Sequence, residues 1–505
     1  MNKNSNLYLL FRDAISTSDD IDFLNVPDGP ALKYSNTDQE CGRFHAALAS
    51  LGVSKGDRVV AQVGKSIESV LLYLACLRVG AIYIPLNTAY TPVEVKYFID
   101  DAEPGVFICD PRAYDRLHSI LHHKVAHILT LSGNGQGSLI ELYKKMDSLD
   151  SVEHCEEDDL AAILYTSGTT GRSKGAMLSH NNLASNAQVL HQYWEFTQGD
   201  VLLHALPIFH VHGLFVALHC ALLNGSTIYF LPYFDADTVI QQLPKSTVMM
   251  GVPTFYTRLL DRPEFTRDLC SKMRLFISGS APLLAETHVE FEERTGHRIL
   301  ERYGMTETGM ITSNPYHGDR VAGTVGFALP GEAVRIADVN GVELPAGQTG
   351  VLEVKGPNVF QGYWRMPDKT REEFRDDGWF ISGDLATKAA DGRVTIVGRE
   401  KDLIISGGYN IYPKEIELAI DECPGVKESA VIGTSHPDFG EGVVAVVVGK
   451  ENVQVDECRI LESLSSRIAR FKQPKRIFFV DELPRNTMGK VQKNILREQY
   501  RDCFK

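Results

Sequence analysis

The sequence predicts an α/β fold with a large N-terminal domain and a small, mobile C-terminal α+β domain. At 505 residues the chain is too long for one ordinary hydrophobic core. Residues 57–87 read DRVVAQVG, SIESVLLYLACLRVG and AIYIPLN, which is the strand, helix and strand order of a mostly parallel sheet. After about residue 325 short apolar runs alternate with Gly and Asn-Gly turns, and this pattern is typical of antiparallel β structure.

The remaining elements follow in chain order. The start, MNKNSNLYLLFRDAIS, indicates an amphipathic first helix. Further strands of the large domain are predicted in GVFICD, KVAHILTL, AAILYT, TIYFLP, TVMMGVP and RLFISG, and a small β subdomain in GEAVRIADVNGVELPAGQTGVLEVKG. Near the C-terminus, EIELAIDE and CRILESLSSRIARF read as helices between the strands ESAVIG, GVVAVVVG and RIFFVD. We expect a large domain at residues 1–398, a hinge at 399–402 and a small domain at 403–505.

Composition narrows the class of protein. A formal charge of −14 and a pI near 5.6 argue against nucleic acid or an anionic membrane as partner. No uncharged apolar stretch is long enough to span a bilayer. The nine cysteines form no CxxC pair and no cluster with histidine, which favours reduced thiols and argues against a zinc site. We therefore expect a soluble cytoplasmic enzyme that binds anions through local groups.

The stretch YTSGTTGRSKG, which begins at Tyr165, has the makeup of a phosphate-binding loop. Its glycines permit close backbone approach, its hydroxyl groups can donate hydrogen bonds, and Lys174 supplies a mobile cation. The mononucleotide P-loop requires GxxxxGK[ST], whereas Gly168 and Gly171 are separated by two residues and Gly175 follows the lysine. Taken alone, a Ser/Thr/Gly-rich turn between regular elements can also be purely structural.

The full string resembles the phosphate-binding loop of the adenylate-forming superfamily of acyl-CoA synthetases, luciferases and adenylation domains. Four further motifs of that family occur in the expected order: YGMTETG from Tyr303, GWFISGDLA from Gly378, GREKDLIISGGYNIYPKEIE from Gly398 and PRNTMGKVQK from Pro484. The resemblance covers essentially the whole chain. It implies the adenylate-forming enzyme fold, with ATP, Mg²⁺ and coenzyme A as cofactor and co-substrates, and an acyl-adenylate as intermediate.

The resemblance also assigns roles to individual residues. Lys490 and Thr306 are expected at the reacting carboxylate and α-phosphate, and Glu307, together with Thr169, at Mg²⁺. Lys401 is the expected hinge, and Gly407 and Gly408 are expected to line the pantetheine channel of coenzyme A. The other residues expected to bind ATP are Thr166, Ser167, Gly168, Thr169, Thr170, Gly171, Lys174, Ser278, Gly279, Glu301, Tyr303, Gly304, Asp384 and Arg399.

The acyl pocket carries unexpected charge. Arg258 lies one helical turn beyond the VPT turn, and Arg302 directly precedes Tyr303. A substrate with a second carboxylate would need such a partner, because burying an unpaired anion is prohibitive. The alternative is that Arg258 pairs with Asp261, and Arg302 with Glu301 or Glu307.

The segments HVHGLF, GVPTFYTRLL, FISGSAPLL and ERYGMTET resemble those of the malonyl-CoA synthetases. This resemblance implies that Arg258, Arg302 and Ser280 hold the distal carboxylate of malonate, and that Val211, His212 and Met310 close around its second carbon. Tolerance for methylmalonate stays open. The HxH spacing of His210 and His212 lacks a third metal ligand nearby.

The expected reaction is the AMP-forming ligation of malonate to coenzyme A. Two other functions stay open: a short-chain monocarboxylate ligase, and a free-standing adenylation enzyme that loads a carrier protein. Acetylation of Lys490 would remove a needed charge, so a lysine acetyltransferase and a deacetylase are chemically reasonable partners.

Overall fold

A computed structural model describes residues 3–18, 20–166, 173–406, 409–450, 453, 455–465, 467–487 and 489–504, with the backbone alone at 409 and 410. Its α-helices are α1 (Leu7–Thr17), α2 (Tyr34–Ser50), α3 (Ile67–Val79), α4 (Pro92–Ala102), α5 (Tyr114–Leu121), α6 (Ser138–Tyr143), α7 (His180–Tyr193), α8 (Leu218–Leu222), α9 (Ala236–Gln242), α10 (Pro253–Leu260), α11 (Ala285–Thr295), α12 (Pro367–Glu372), α13 (Pro413–Asp421), α14 (Glu457–Ser465) and α15 (Lys493–Gln499). None of these described helices has the length and apolar character needed to cross a membrane.

The strands of the large domain are β1 (Asp22–Asn25), β2 (Ala31–Lys33), β3 (Arg58–Gln62), β4 (Ile82–Pro85), β5 (Val106–Cys109), β6 (His127–Thr130), β7 (Leu160–Thr166), β8 (Lys174–Ser179), β9 (Val201–His204), β10 (Thr227–Phe230), β11 (Val248–Gly251), β12 (Leu275–Ser278), β13 (Leu300–Met305), β14 (Gly309–Ser313) and β15 (Phe327–Ala328). The later strands are β16 (Ala333–Ala337), β17 (Thr349–Lys355), β18 (Phe380–Lys388), β19 (Val394–Arg399), β20 (Ile404–Ser406), β21 (Tyr409–Ile411), β22 (Val426–His436), β23 (Gly440–Gly449) and β24 (Arg476–Val480).

Within the described residues the large domain contains two mostly parallel sheets. Their strand orders are β6-β5-β3-β4-β7-β8 and β15-β14-β13-β12-β11-β9-β10-β1-β2. The strands β3, β4 and β5 and the middle of β7 are buried on both faces, and this explains their continuous β-branched and apolar runs. The predicted strand, helix and strand order is confirmed by β3, α3 and β4.

The β subdomain and the small domain follow in sequence. The strands β16-β17-β18-β19 form an antiparallel sheet, as the turn pattern predicts. In the small domain, β22 and β23 pair antiparallel over ten residues, and β24 adds in parallel to β23. The expected bounds of domains and hinge stay a prediction.

One predicted element was too long. The pattern CRILESLSSRIARF predicted a helix over 458–471, but α14 ends at Ser465, and a 3₁₀ turn occupies Arg470–Lys472. Ile468 packs against the core although it lies beyond the end of the helix. The apolar pattern in the sequence is therefore longer than the helix.

Candidate active site

The site lies where the loops of both large sheets meet the β subdomain and the small domain. Thr166 ends β7 and Lys174 begins β8, and the two residues are register partners on neighbouring antiparallel strands. The loop between them contains Ser167, Gly168, Thr169, Thr170 and Gly171, which lie outside the described residues, as do Gly407 and Gly408. The strand ends therefore bring Lys174 to the mouth of the expected phosphate loop.

Thr306 and Glu307 lie in the tight turn between β13 and β14. Glu307 is 5% exposed; its side-chain Oε1 accepts a hydrogen bond from the Tyr363 hydroxyl at 3.0 Å. Burial raises the pKa of Glu307. No group of three or more His, Cys, Asp or Glu side chains is arranged for a metal ion in the described part of the chain. One carboxylate combined with phosphate oxygens and water suits Mg²⁺, so Glu307 fits the ion that the family motif implies.

Asp384, Arg399 and Tyr303 form a second polar group. Asp384 and Arg399 are cross-strand partners on β18 and β19, and the Arg399 Nε lies 2.9 Å from Asp384 Oδ1. The Tyr303 hydroxyl donates to Asp384 Oδ2 at 2.5 Å. Burial and the Asp384 charge raise the pKa of Tyr303. The fold thus brings together the three residues expected at the adenosine.

The other residues expected near adenine have different surroundings. The Glu301 carboxylate accepts the Gly323 N–H at 3.1 Å and lies 3.4 Å from His288 Nδ1. At Gly304, a Cβ would lie 2.1 Å from the Gly309 carbonyl oxygen, so this position excludes any side chain. Ser278 is 1% exposed, and its hydroxyl has no hydrogen-bond partner among the described residues.

Lys490 lies in the cleft between the domains. Its side chain is partly open to solvent, yet the surrounding protein lowers the pKa of its ammonium to about 8, first through burial and then through the nearby Arg399 charge. The preceding Gly489 has φ +73°, and a Cβ there would lie 3.1 Å from Thr254 of α10. The Asn87 amide donates to the Thr487 hydroxyl at 3.1 Å across the same cleft.

The expected hinge residue lies beside this cleft. Lys401 belongs to a 3₁₀ turn, Glu400–Asp402, directly after β19. Burial, and then the Arg399 charge, lower the pKa of Lys401. The next residue, Asp402, accepts a hydrogen bond from Arg497 of α15 at 2.5 Å. Lys401 therefore lies at the connection between the β subdomain and the small domain.

Arg302 carries its charge in a buried environment. Its side chain is 3% exposed, and burial lowers its pKa to about 9. Within the described residues, its Nε and Nη2 have no hydrogen-bond partner and no carboxylate lies within ion-pair distance. The ion pair expected between Arg302 and Glu301 or Glu307 is not found among the described residues. At neutral pH Arg302 is thus a buried cation without a counter-ion.

The groups around Arg302 include the other expected acyl residues. A Cβ on Gly279 would lie 2.4 Å from the Arg302 Cζ, so only glycine leaves room for the guanidinium. The Ser280 hydroxyl lies 3.2 Å from His212 Nδ1, and Ser280 itself has φ +72°. Burial, and then the Arg302 charge, lower the pKa of His212. The imidazole is therefore neutral, and Arg302 supplies the positive charge.

Val211 and Met310 complete the apolar side. Val211 immediately precedes the π-helical segment His212–Ala217, and both Val211 and Met310 are buried. A small cavity of about 10 Å³ is lined by Val211 and Thr306, together with Leu178, Asn182, Leu183, Asn186, Phe215, Gly309 and Asn358. The expected acyl wall thus borders the expected catalytic turn.

Arg258 is not buried with Arg302. It is exposed on the last turn of α10 and lines an open hollow of about 350 Å³ together with Asp235, Asp261 and Arg262. A Cβ on Gly489 would lie 3.1 Å from Thr254, which precedes Arg258 by four residues on the same helical face. The contact of Arg258 with substrate stays a prediction.

Two polar residues of this region carried no sequence signal. Tyr363 donates to Glu307, and Glu373 accepts from both Tyr363 and Lys174. A glutamate in the run TREEFRDD is typical of an exposed surface, and nothing in its spacing connects it with Lys174. Only the tertiary fold brings these residues together.

Comparison with known proteins defines the class. Residues 11–364 match the AMP-binding enzyme family, and residues 415–490 match the AMP-binding enzyme C-terminal domain. The chain belongs to the AMP-binding enzymes, and the adenylate-forming fold predicted from the motifs is confirmed.

Comparison with individual proteins shows which kinds of AMP-binding enzyme the chain resembles. The chain is 34% identical over 501 residues to a malonate–CoA ligase of Arabidopsis thaliana, covering 92% of this chain and 81% of the relative. It is 54% identical to MatB from Rhodopseudomonas palustris, with full coverage of both chains. The TM-score is 0.98 against the ATP-bound crystal structure of MatB and 0.86 against the apo structure. The arrangement described here is thus closer to the ATP-bound form.

Proposed function

We propose that the protein is an ATP-dependent, AMP-forming ligase that joins malonate to coenzyme A. The observation that carries this proposal is the buried, unpaired guanidinium of Arg302. A buried charge without a partner is strongly unfavourable, so the pocket is complementary to an anion. Malonate supplies one carboxylate for activation and a second for Arg302. The likeness to malonate–CoA ligases supports the same substrate.

The first half-reaction is an in-line displacement at the α-phosphorus of ATP. A carboxylate oxygen of malonate forms the new bond to phosphorus, the bond to the bridging oxygen breaks, and pyrophosphate leaves. Lys490 and Thr306 stabilise, in this proposal, the charge that develops on the carboxylate and the α-phosphate. Bound Mg²⁺, held by Glu307 and phosphate oxygens, would neutralise part of the triphosphate charge.

The nucleotide is held by groups on different elements. Asp384 can accept hydrogen bonds from the ribose hydroxyls, with Arg399 beside it, while Tyr303 presents its ring to the base. Asp384 is 4% exposed and already bonded to Tyr303 and Arg399, so its orientation is fixed before ATP arrives. Such preorganisation lowers the entropy cost of binding.

The second half-reaction transfers the acyl group. The small domain turns about Lys401, the thiol sulfur of coenzyme A attacks the malonyl carbonyl, the acyl–phosphate bond breaks, and AMP leaves with the electron pair. The thiol proton is lost to solvent. Domain rotation that exchanges the groups in a site is a common device. The expected channel at Gly407 and Gly408, and control of Lys490 by an acetyltransferase and a deacetylase, stay predictions.

Substrate size follows from the pocket walls. Val211, His212 and Met310 are buried and are expected to close around the second carbon of malonate, which favours a three-carbon diacid over a longer acid. Ser280 adds a hydroxyl near His212, and Arg258 is the further cation expected to reach the distal carboxylate. Methylmalonate differs from malonate by a single methyl group at that carbon, so Val211 is the position expected to set tolerance for it.

The proposal is tested by identifying the products. Purified protein is incubated with Mg·ATP, coenzyme A and malonate, methylmalonate, acetate, succinate or hexanoate at equal concentration, and nucleotides and thioesters are identified by mass spectrometry. The proposal expects AMP and malonyl-CoA, with malonate preferred. Equal or faster turnover of acetate or hexanoate would contradict the diacid substrate, and malonyl-AMP that accumulates without thioester formation would favour a carrier-protein acceptor.

A further inference from the structure

A continuous hydrogen-bonded chain connects the lysine at the phosphate loop with the expected Mg²⁺ ligand. The Lys174 Nζ donates to Glu373 Oε1 at 2.8 Å. The Tyr363 hydroxyl lies 2.5 Å from Glu373 Oε2 and 3.0 Å from Glu307 Oε1. The Lys174 ammonium also lies 3.9 Å from the centroid of the Tyr363 ring. Two residues of unassigned role therefore link the two groups expected to face the triphosphate.

The position of Glu373 is fixed by its backbone as well as its side chain. It caps the C-terminal end of α12, and its carbonyl oxygen accepts the Ile381 N–H at 2.8 Å. The Tyr363 N–H donates to the Thr370 hydroxyl at 2.8 Å, which holds the tyrosine against the same helix. The side chains of Lys174 and Glu373 are largely shielded from solvent, being 13% and 20% exposed.

A carboxylate near a triphosphate site requires an explanation, because it repels the ligand. Glu373 occupies one of the three N–H donors of Lys174 and leaves two for phosphate oxygens. A free lysine side chain is flexible and loses rotamer entropy when it binds. Contact with Glu373 and with the Tyr363 ring restricts Lys174 before ATP arrives, which reduces that cost.

We propose that Glu373 is a positioning residue for ATP: it holds Lys174 at the phosphate loop and, through Tyr363, sets the spacing between Lys174 and Glu307. The inference rests on the proposed function, because it takes Lys174 and Glu307 as the groups that face the phosphates. Glu373 itself touches neither substrate nor metal. The Tyr363 hydroxyl has one proton and lies within hydrogen-bond distance of both carboxylates, with Glu373 the nearer.

The test measures binding of Mg·ATP to the full-length protein by isothermal titration calorimetry, with no acid and no coenzyme A present. The variants are Glu373→Gln, which keeps the shape and removes the charge, and Tyr363→Phe, which removes the shared hydroxyl. Glu372→Gln is the matched control, because this neighbouring acid is exposed and pairs with Lys369 at 3.0 Å. Thermal melts show that each variant is folded.

We expect Glu373→Gln to weaken Mg·ATP binding about tenfold, which is the scale of one charge-assisted hydrogen bond. Tyr363→Phe should raise the Mg²⁺ concentration needed for half-maximal ATP binding. Glu372→Gln should stay within about twofold of the wild type. In turnover, Glu373→Gln should raise KM for ATP and leave KM for the acid unchanged.

A double-mutant cycle separates positioning from simple structural support. If Glu373 acts through Lys174, then Glu373→Gln has no further effect on ATP affinity in a Lys174→Met background. Additive losses, or wild-type affinity in Glu373→Gln, overturn the inference and leave the proposed function intact. A wild-type protein that does not bind Mg·ATP overturns both. Binding of Mg·ATP together with activation of an acid other than malonate overturns the proposed substrate alone, and the outcome of the cycle then decides the positioning role of Glu373.

Discussion

Replacing Arg302 with methionine should abolish the preference for malonate while preserving the fold. The guanidinium is 3% exposed and has no carboxylate partner among the described residues. Methionine is also long and unbranched, so it can occupy much of the same space. The substitution removes the charge that the second carboxylate of malonate is proposed to meet.

The size of the effect follows from burial. Breaking a buried ion pair by removing one partner costs about 3–5 kcal/mol, because the remaining charge stays desolvated. With 1.4 kcal/mol for each factor of ten, kcat/KM for malonate should fall by roughly 150- to 4,000-fold. Acetate has no second carboxylate, so its kcat/KM should change little.

Stability provides the internal control. An unpaired buried charge destabilises the folded protein, and replacing it with an apolar side chain of similar volume is often neutral or stabilising. Arg302→Met should therefore melt at the same temperature as the wild type or higher. The assay follows pyrophosphate release with malonate and with acetate, alongside a thermal melt.

Two results would refute this reasoning. If Arg302→Met retained its preference for malonate, the distal carboxylate would be bound elsewhere. If activity on both acids fell together with the melting temperature, Arg302 would be a structural residue. Arg302→Lys, which keeps a charge but loses the bidentate geometry, should give an intermediate malonate rate.

Three other outcomes are expected. Gly279→Ala should displace the Arg302 guanidinium, since the added Cβ would lie 2.4 Å from its Cζ, and lower the ratio of kcat/KM for malonate to that for acetate about tenfold; an unchanged ratio would contradict this. The kcat/KM for adenylation, measured by pyrophosphate exchange, should fall as pH rises through about 8. Lys490 has a pKa lowered to about 8 and is needed in its charged form. A flat profile up to about pH 9.5 would exclude that role for Lys490. Burial raises the pKa of Glu332 to about 9, so its contribution to stability is complete below the unfolded value near 4.3 and is lost as pH rises toward 9. Glu332→Gln should match the wild type at about pH 4 and be roughly 1–3 kcal/mol more stable at about pH 9 in urea unfolding; a difference independent of pH would contradict this.

The fold was largely predictable because its strands are short, apolar and β-branched. Runs such as VVAQ in β3 and VVAVVV in β23 form strands that are buried on both faces or pair over long registers. Caps also follow sequence signals, as at α7, where Ser179 and Asn182 form a reciprocal capping box. Only the end of α14 was misjudged, since apolar spacing marks burial rather than helix continuity.

The site could be predicted in part. The motifs led us to expect Tyr303, Asp384 and Arg399 near one nucleotide. The fold brings these three residues into contact although they are far apart in sequence. The sequence could not decide whether Arg302 is paired, because Glu301 is its neighbour. Adjacent residues on a strand point to opposite faces, and on β13 this sends Glu301 toward His288 and leaves Arg302 alone.

Interactions between segments that are distant in sequence could not be predicted. The contact between Lys174 and Glu373 spans 199 positions, and its meaning depends on where the β subdomain meets the phosphate loop. Arg258 is a second example: the sequence favoured a pocket residue, the side chain is exposed, and its contact with substrate stays a prediction. Side-chain environment, unlike strand or helix type, is set by packing that no local pattern encodes.

The most direct test of the central claim is a crystal structure of the protein with malonate and a non-hydrolysable ATP analogue. The measured quantity is the distance between the Arg302 guanidinium nitrogens and the carboxylate of malonate that faces away from the α-phosphate. The account predicts two hydrogen bonds of about 2.7–2.9 Å. A distal carboxylate directed to solvent or to another cation, with Arg302 still unpaired, would contradict it.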